Sequence, residues 1–150
     1  MKKTILLVDD DRSERNLFKE AVLEVNPDIS YLSAEDGNEA LALLASLSDN
    51  LPDVIFMDIN MPGMNGWTCL SKIKQDDLLK DIPVIMYSTS DHQRDVDIAM
   101  KYGALCFCVK PESFKTLTYI VKVVSENLGK NLSDAIRQYK TSLPNFRFKE

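Results

Sequence analysis

Five short apolar segments alternate with five longer amphipathic segments along this chain. The apolar segments are continuous and bounded by turn-forming residues, which is typical of strands covered on both faces. The longer segments place apolar side chains three and four residues apart, as amphipathic helices do. The predicted strands cover residues 4–8, 29–34, 53–58, 82–88 and 104–109, and a predicted helix follows each of them.

This alternation predicts an α/β fold, a doubly wound five-stranded parallel sheet with five helices on its two faces. Right-handed crossovers restrict the strand order, and 2-1-3-4-5, the flavodoxin-like order, is the common five-stranded solution. Residues 1–129 hold the five units and are expected to form one domain, as is usual for 150 residues. Residues 130–150 are expected to be a C-terminal tail without an output domain. A short helix could form in the tail, and Pro144 would interrupt anything longer.

Local signals place the helix ends and their inward faces. Ser13 can cap the first helix, and Leu17 and Phe18 are expected on its apolar side. Asp11 is expected to begin the loop or the first turn of that helix rather than to bind a metal. In the last helix, Phe114 is expected to face inward with Leu117.

Composition excludes several classes of function. The net charge of −5 argues against direct nucleic-acid binding, which requires basic patches. No apolar run approaches the roughly 20 residues of a membrane span, so membrane insertion is not expected. The N-terminus lacks the longer apolar region of a signal peptide, which predicts a cytoplasmic protein. The three cysteines are an odd number and are expected to be buried reduced thiols.

The predicted strands end in polar residues that carry chemistry. The first strand is followed by Asp9, Asp10 and Asp11, the third ends in Asp58, the fourth ends in Ser88 and Thr89, and the fifth is followed by Lys110. In such sheets, ligands bind outside the carboxyl ends of the strands, where the strand order reverses. We therefore expect the carboxylates, a hydroxyl and one ammonium group to lie along one edge.

This set of groups suits phosphoryl chemistry. Clustered carboxylates raise one another's pKa, and a cation relieves the repulsion. Oxygen ligands without nearby histidine or cysteine favour Mg²⁺. A lysine and a hydroxyl can stabilise the oxygens of a transferring phosphoryl group, and a carboxylate can serve as the nucleophile.

Four segments in this order resemble the receiver domain of two-component response regulators, the CheY-like family. They are "LLVDDD" (6–11), "MDINMPGMNG" (57–66), "VIMYSTS" (84–90) and "FCVKP" (107–111), and the resemblance covers residues 3 to about 128. It implies a stand-alone receiver that accepts a phosphoryl group on Asp58 from a sensor histidine kinase or a phosphotransfer protein. It further implies that the chain is not an enzyme and signals to an unknown downstream protein, with a homodimer left open.

The resemblance also implies roles for single residues. The predicted Mg²⁺ ligands are the side chains of Asp9, Asp10 and Asp58 and the backbone carbonyl of Asn60, with Asp10 more direct than Asp9. Lys110 would bridge to the phosphoryl group, Ser88 would be the switch hydroxyl, and Phe107 occupies the place of the switch aromatic. Asn60 and Ser90 occupy positions that tune phosphoryl lifetime. The Lys110–Pro111 bond is cis in the family.

Two other functions remain open at this point. "DDDRS" (9–13) loosely resembles the D-x-D motif of haloacid-dehalogenase-like phosphatases, with Asp9 as the nucleophile. Those enzymes need a further acidic pair after the lysine, which this chain does not offer. The other alternative is an inactive receiver that binds partners without phosphorylation.

Overall fold

The structure, a computed structural model that describes residues 2–149, contains six strands and six helices in regular alternation except at the C-terminus. The elements are β1 (Thr4–Val8), α1 (Arg12–Val25), β2 (Ser30–Ala34), α2 (Gly37–Ser46), β3 (Val54–Met57), α3 (Gly66–Gln75), β4 (Val84–Ser88), α4 (Gln93–Lys101), β5 (Cys106–Val109), α5 (Phe114–Glu126), α6 (Leu132–Arg137) and β6 (Phe146–Arg147). The predicted α/β fold is confirmed.

One sheet with the order β2-β1-β3-β4-β5-β6 organises the molecule. The first five strands are parallel and have the predicted order 2-1-3-4-5. Val8 is in register with Met57, so β1 and β3 end side by side. The sixth strand was not predicted, and it pairs antiparallel with β5.

Successive residues of the central strands point to opposite faces and build two apolar layers. In β1, Ile5 and Leu7 face the layer that contains side chains of α1, α5 and α6. Leu6 and Val8 face the layer beneath α2, α3 and α4. Because both faces are covered, the central strands are continuous apolar runs, and the polar side chains of the candidate site lie at the ends of these strands.

Three local predictions were wrong. Asp11, and not Ser13, is the N-cap of α1, and its Oδ1 accepts bonds from the backbone N–H groups of Ser13 and Glu14 at 2.8 and 3.2 Å. Leu17 is exposed, since the buried face of α1 is carried by Phe18 and the turns after it. Phe114 is exposed because it is the first residue of α5, before the helix reaches the sheet.

The C-terminal segment packs onto the domain. Its buried apolar residues join the layer beneath α1 and α5, and they are Leu132, Ile136, Leu143, Phe146 and Phe148. Asn145 makes two hydrogen bonds to Val109 of β5. The Asn145 carbonyl accepts from Val109 N at 2.8 Å, and Asn145 Nδ2 donates to Val109 O at 2.8 Å. Residues that the sequence leaves as a tail thus complete the sheet and one of its two apolar layers.

The structure also bears on two expectations from composition, the state of the cysteines and membrane insertion. Cys69, Cys106 and Cys108 are all buried and free of disulfides, as predicted. Within residues 2–149, no helix combines the length and the apolar character that crossing a membrane requires.

Candidate functional site

The ends of β1 and β3 hold two buried carboxylates next to each other. Asp58 N donates to Val8 O at 2.9 Å, which continues the pairing of the two strands by one residue. Asp9 N donates to Ala34 O at 3.0 Å, so Asp9 is likewise held by the ladder on its other side. The side chain of Asp9 is completely buried, and Asp58 is 7% exposed. The strand order alone therefore brings together two acids that lie far apart in sequence.

Lys110 reaches both carboxylates from the end of β5. Its backbone N–H donates to Ser88 O at 2.7 Å, which fixes the start of the loop that follows β5. Its Nζ lies 2.8 Å from Asp9 Oδ2 and 3.8 Å from Asp58 Oδ1. Burial opposes the ammonium form, but the hydrogen bond and charge of Asp9, helped by Asp58, raise the pKa of Lys110 above its ordinary value. Lys110 is therefore a fixed cation at this edge.

Asp9 accepts hydrogen bonds at both of its carboxylate oxygens and at its backbone carbonyl. Its Oδ2 binds Lys110, and its Oδ1 accepts from Asp11 N at 2.9 Å. Its backbone carbonyl accepts from Nη1 of Arg15 at 2.8 Å. Sequence reasoning missed Arg15, although its place one turn into α1 points it back toward the strand end. Asp9 is thus held at both carboxylate oxygens.

Asp58 is less constrained than Asp9, and its pKa is raised. Its Oδ1 accepts from Ile59 N at 2.9 Å, whereas no donor among residues 2–149 bonds Oδ2. Burial raises the pKa of Asp58 from 3.8 to about 6; Lys110 opposes the rise, and the negative charge of Asp9 adds to it. A carboxylate held at one oxygen, with the other available beside a cation, can act as a nucleophile.

Asp9, Asp10 and Asp58 form a cluster that suits a hard divalent cation. One carboxylate oxygen from each lies within 4.8 Å of the others. Asp10 is exposed, so it leaves a side of the cluster open to solvent. All three donors are oxygens, which fits Mg²⁺ and its preference for few protein ligands and several waters.

The remaining predicted site residues lie around this cluster. Ser88 is buried at the end of β4, and its Oγ accepts from Ser90 N at 3.2 Å. The Ser90 hydroxyl bonds the carboxylate of Asp95 in α4 and so is engaged away from the cluster. Phe107, in β5, is completely buried in the apolar layer beneath α2, α3 and α4. Asn60 is exposed in the loop after β3, and its carbonyl ligand role stays a prediction.

Two features of the surrounding loops differ from or add to the sequence analysis. The Lys110–Pro111 bond is trans, since no peptide bond between residues 2 and 149 is cis, so the expectation of a cis bond is wrong; trans is also the form that X–Pro bonds generally favour. Gly66, which opens α3, was not identified as a site residue. A Cβ there would lie 2.1 Å from Asp58 O, so the helix can approach the strand end only with glycine.

Comparison with known proteins identifies the arrangement. The family model described as the response regulator receiver domain matches residues 5–122. NarL, the nitrate/nitrite response regulator of Escherichia coli K12, is 38% identical over 108 residues, which are 71% of this chain and 47% of NarL. The chain therefore spans about half the length of this curated relative, and 30% of the length of the response regulator PleD of Caulobacter vibrioides.

Solved structures with the same fold include the cyanobacterial phytochrome response regulator RcpA and the response regulator Rcp1. The phosphorylated form of RcpA is 31% identical with a TM-score of 0.77, and the match covers 85% of this chain and 94% of that one. The Mn²⁺-bound form of Rcp1 is 30% identical with a TM-score of 0.72, covering 83% and 92%. The α/β fold of this chain thus has counterparts among solved response regulators.

Proposed function

Because this chain belongs to the response regulator receiver family, whose members accept a phosphoryl group on an aspartate, we propose that Asp58 is its phosphoacceptor. A sensor histidine kinase or a phosphotransfer protein would be the donor, and Mg²⁺ the cofactor. The chain would then act by phosphorylation-dependent binding to another protein rather than as an enzyme in its own right. The observation that carries this proposal is the position of Asp58, buried at a strand end with Lys110 Nζ at 3.8 Å from Oδ1 and with Oδ2 bonded by no donor of residues 2–149.

The chemistry follows from this placement. Asp58 Oδ2 attacks the phosphorus atom of the donor as a bond forms between oxygen and phosphorus. The bond from phosphorus to the donor nitrogen breaks, and its electron pair remains on the donor. Lys110 and Ser88 contribute positive charge and a hydrogen bond to the phosphoryl oxygens. Attack by water on the product returns Asp58 and inorganic phosphate.

Mg²⁺ would be held by the side chains of Asp10 and Asp58 and the carbonyl of Asn60, with Asp9 acting mainly through water. When bound, it would neutralise the clustered carboxylates and offset charge on the phosphoryl oxygens. The cluster within 4.8 Å supports this assignment, as does the engagement of both Asp9 oxygens by protein donors. The existence of a Mn²⁺-bound form of the relative Rcp1 supports divalent-cation binding.

A change of surface would follow phosphorylation. The modification replaces the single carboxylate charge of Asp58 by a phosphoryl charge of about −2, a net gain of about one negative charge. Ser88 and Lys110 are joined by a backbone hydrogen bond of 2.7 Å, so a shift of either toward the phosphoryl group would move the ends of β4 and β5 together. We propose that this movement, with repacking of the buried Phe107, alters the surface around α4, β5 and α5.

The geometry weighs against the alternatives. A phosphatase with Asp9 as its nucleophile would need a free oxygen on Asp9, but both of its oxygens are bonded and the residue is fully buried. An inactive receiver would not need the buried arrangement of Asp58, Lys110 and Ser88. Both alternatives predict outcomes that can be measured together with the proposed function.

The decisive experiment is mass-spectrometric mapping after incubation with Mg²⁺ and acetyl phosphate. We expect one phosphoryl group on Asp58 and none in Asp58→Asn, and chelation of the metal should abolish incorporation. Label on Asp9 with rapid turnover of small phosphoesters would instead indicate a phosphatase. No incorporation into a folded, Mg²⁺-loaded protein would favour the inactive receiver.

A further inference from the structure

Residues of the C-terminal segment, including those of β6, line a concave basic pocket. Its volume is about 590 Å³, and its charged lining is entirely basic, with Arg137, Lys140, Arg147 and Lys149. The chain as a whole has 18 Lys and Arg residues against 23 Asp and Glu, so this concentration runs against its overall charge. A positively charged surface on a protein with a negative net charge creates a local electrostatic potential that attracts a negatively charged ligand.

None of these four cations is neutralised by an acid within the described chain. No carboxylate of residues 2–149 lies within 4.0 Å of any of them. Arg147 is held instead by neutral oxygens, since its Nη1 donates to Asp91 O at 3.0 Å and its Nη2 to Gln93 Oε1 at 2.8 Å. Its positive charge is therefore positioned but not compensated.

Apolar side chains and Thr141 form the rest of the pocket and make it unlike a simple charged surface. The guanidinium of Arg137 lies 4.0 Å from the ring centroid of Phe148, and Pro144 contributes a further wall. Stacking on an aromatic ring keeps an arginine extended while leaving its edge N–H groups free to bind a carboxylate. The pocket thus combines basic hydrogen-bond donors for a carboxylate with apolar walls.

Charge beyond the pocket distinguishes a short acidic peptide from a nucleic acid. Four of the 18 Lys and Arg residues line the pocket, whereas most of the 23 Asp and Glu residues lie elsewhere on the molecule. An extended polyanion would have to pass over that acidic surface, where repulsion acts over a Debye length of about 8–10 Å. A short segment of acidic and apolar residues would be contained by the pocket.

We propose that the pocket formed by Arg137, Lys140, Arg147 and Lys149 is a docking site for an acidic segment of a partner protein, in which Asp or Glu residues flank apolar ones. This deepens the proposed function, because it names the chemistry of a partner. The link is direct: Arg147 joins the pocket to the first turn of α4, which follows Ser88 and belongs to the surface that phosphorylation would alter. Docking itself requires no phosphoryl group.

The test measures the binding of a fluorescein-labelled peptide, in which Asp and Glu flank Leu residues, to the full chain by fluorescence anisotropy. The affinity should fall as salt is added. The double variant Lys140→Glu with Lys149→Glu should bind about tenfold more weakly or worse. Both lysines are exposed, and neither side chain has a bond within the described residues, so the variant should fold. Lys2→Glu with Lys19→Glu, also exposed, makes the same change in net charge elsewhere and should bind like the parent.

Three results would overturn the proposal. They are equal binding of the peptide by the pocket variant and the control variant, equal binding of a peptide with Asn and Gln in place of the acids, and tighter binding of single-stranded DNA than of the acidic peptide. The measurement uses unphosphorylated protein, and phosphorylation of Asp58 is mapped separately. A failure of docking is therefore distinguishable from a failure of phosphoryl transfer.

Discussion

Replacing Asp58 by asparagine should stabilise the metal-free protein, although it removes the group on which the proposed function depends. The asparagine amide resembles the protonated carboxyl group in size and carries no charge. Burial raises the pKa of Asp58 from 3.8 to about 6, which means that the fold disfavours the ionised form. Below pH 3.8 the group is protonated in both the folded and the unfolded chain, so it does not lower the free energy of unfolding.

The sign and the size of the effect follow from proton linkage. Between pH 3.8 and 6 the folded chain binds more protons at this site than the unfolded chain, so stability falls as the pH rises. With these two pKa values, the cost of Asp58 is about 1 kcal/mol at pH 4.5 and about 3 kcal/mol at pH 8. Asp58→Asn escapes this cost, so its advantage in the free energy of unfolding should grow by about 2 kcal/mol between the two pH values.

Urea denaturation followed by circular dichroism at both pH values, with a chelator present, measures this difference. Mg²⁺ supplies the matched control, because a ligand at a hundred times its dissociation constant stabilises by about 2.7 kcal/mol. The parent should gain more from Mg²⁺ than the variant, which has lost one carboxylate. If Asp58→Asn is no more stable than the parent at pH 8 in chelator, the inference that the buried, ionised carboxylate of Asp58 destabilises the fold is refuted.

Four further changes address the loops, the cation and the C-terminal segment. Gly66→Ala should unfold the start of α3 or displace Asp58, since its Cβ would lie 2.1 Å from Asp58 O, and loss of phosphoryl incorporation with a lowered melting temperature would report it. Lys110→Ala should destabilise the metal-free protein by about 3–5 kcal/mol in urea denaturation, because it leaves buried Asp9 without its partner; a loss below 1 kcal/mol would contradict the buried pair. Ser90→Glu should change the decay rate of the phosphorylated protein by more than about twofold, because a carboxylate can orient the attacking water. Removal of residues 131–149 should lower the free energy of unfolding by several kcal/mol, at about 1.5–3 kcal/mol for each buried apolar side chain; an unchanged melting temperature would show that the segment does not pack on the domain.

The parts of the fold that could be predicted are those with strong local periodicity. The apolar run from Val54 to Met57 predicts a buried strand on its own, and strand order then places Asp58 beside Asp9 without any knowledge of side-chain contacts. The acidic edge was predictable because parallel strands bring their carboxyl ends together. Its distances, and the division of labour between Asp9 and Asp58, depend on packing and could not be predicted.

The unpredicted parts depend on long-range contacts or on competition between neighbouring residues. The strand β6 has only two residues and no periodic pattern, and it forms because Phe107 and Cys108 of β5 pair with its two residues across the sheet edge. Asp11 and Ser13 can each cap a helix, and their sequence alone does not decide which one does. Gly66 reads as an ordinary helix start until the position of the Asp58 carbonyl is known.

The pairing of β6 with β5 has a consequence for how the molecule behaves in solution. An uncovered edge strand offers a row of free N–H and C=O groups to any other chain, and natural proteins protect such edges against self-association. Here β6 occupies the outer side of β5, opposite Phe107 and Cys108, which leaves β2 as the sheet's other border. A shortened chain would expose a strand of strongly β-forming residues as a template for strand addition. Its tendency to form fibrils or strand-exchanged assemblies should therefore rise together with its loss of stability.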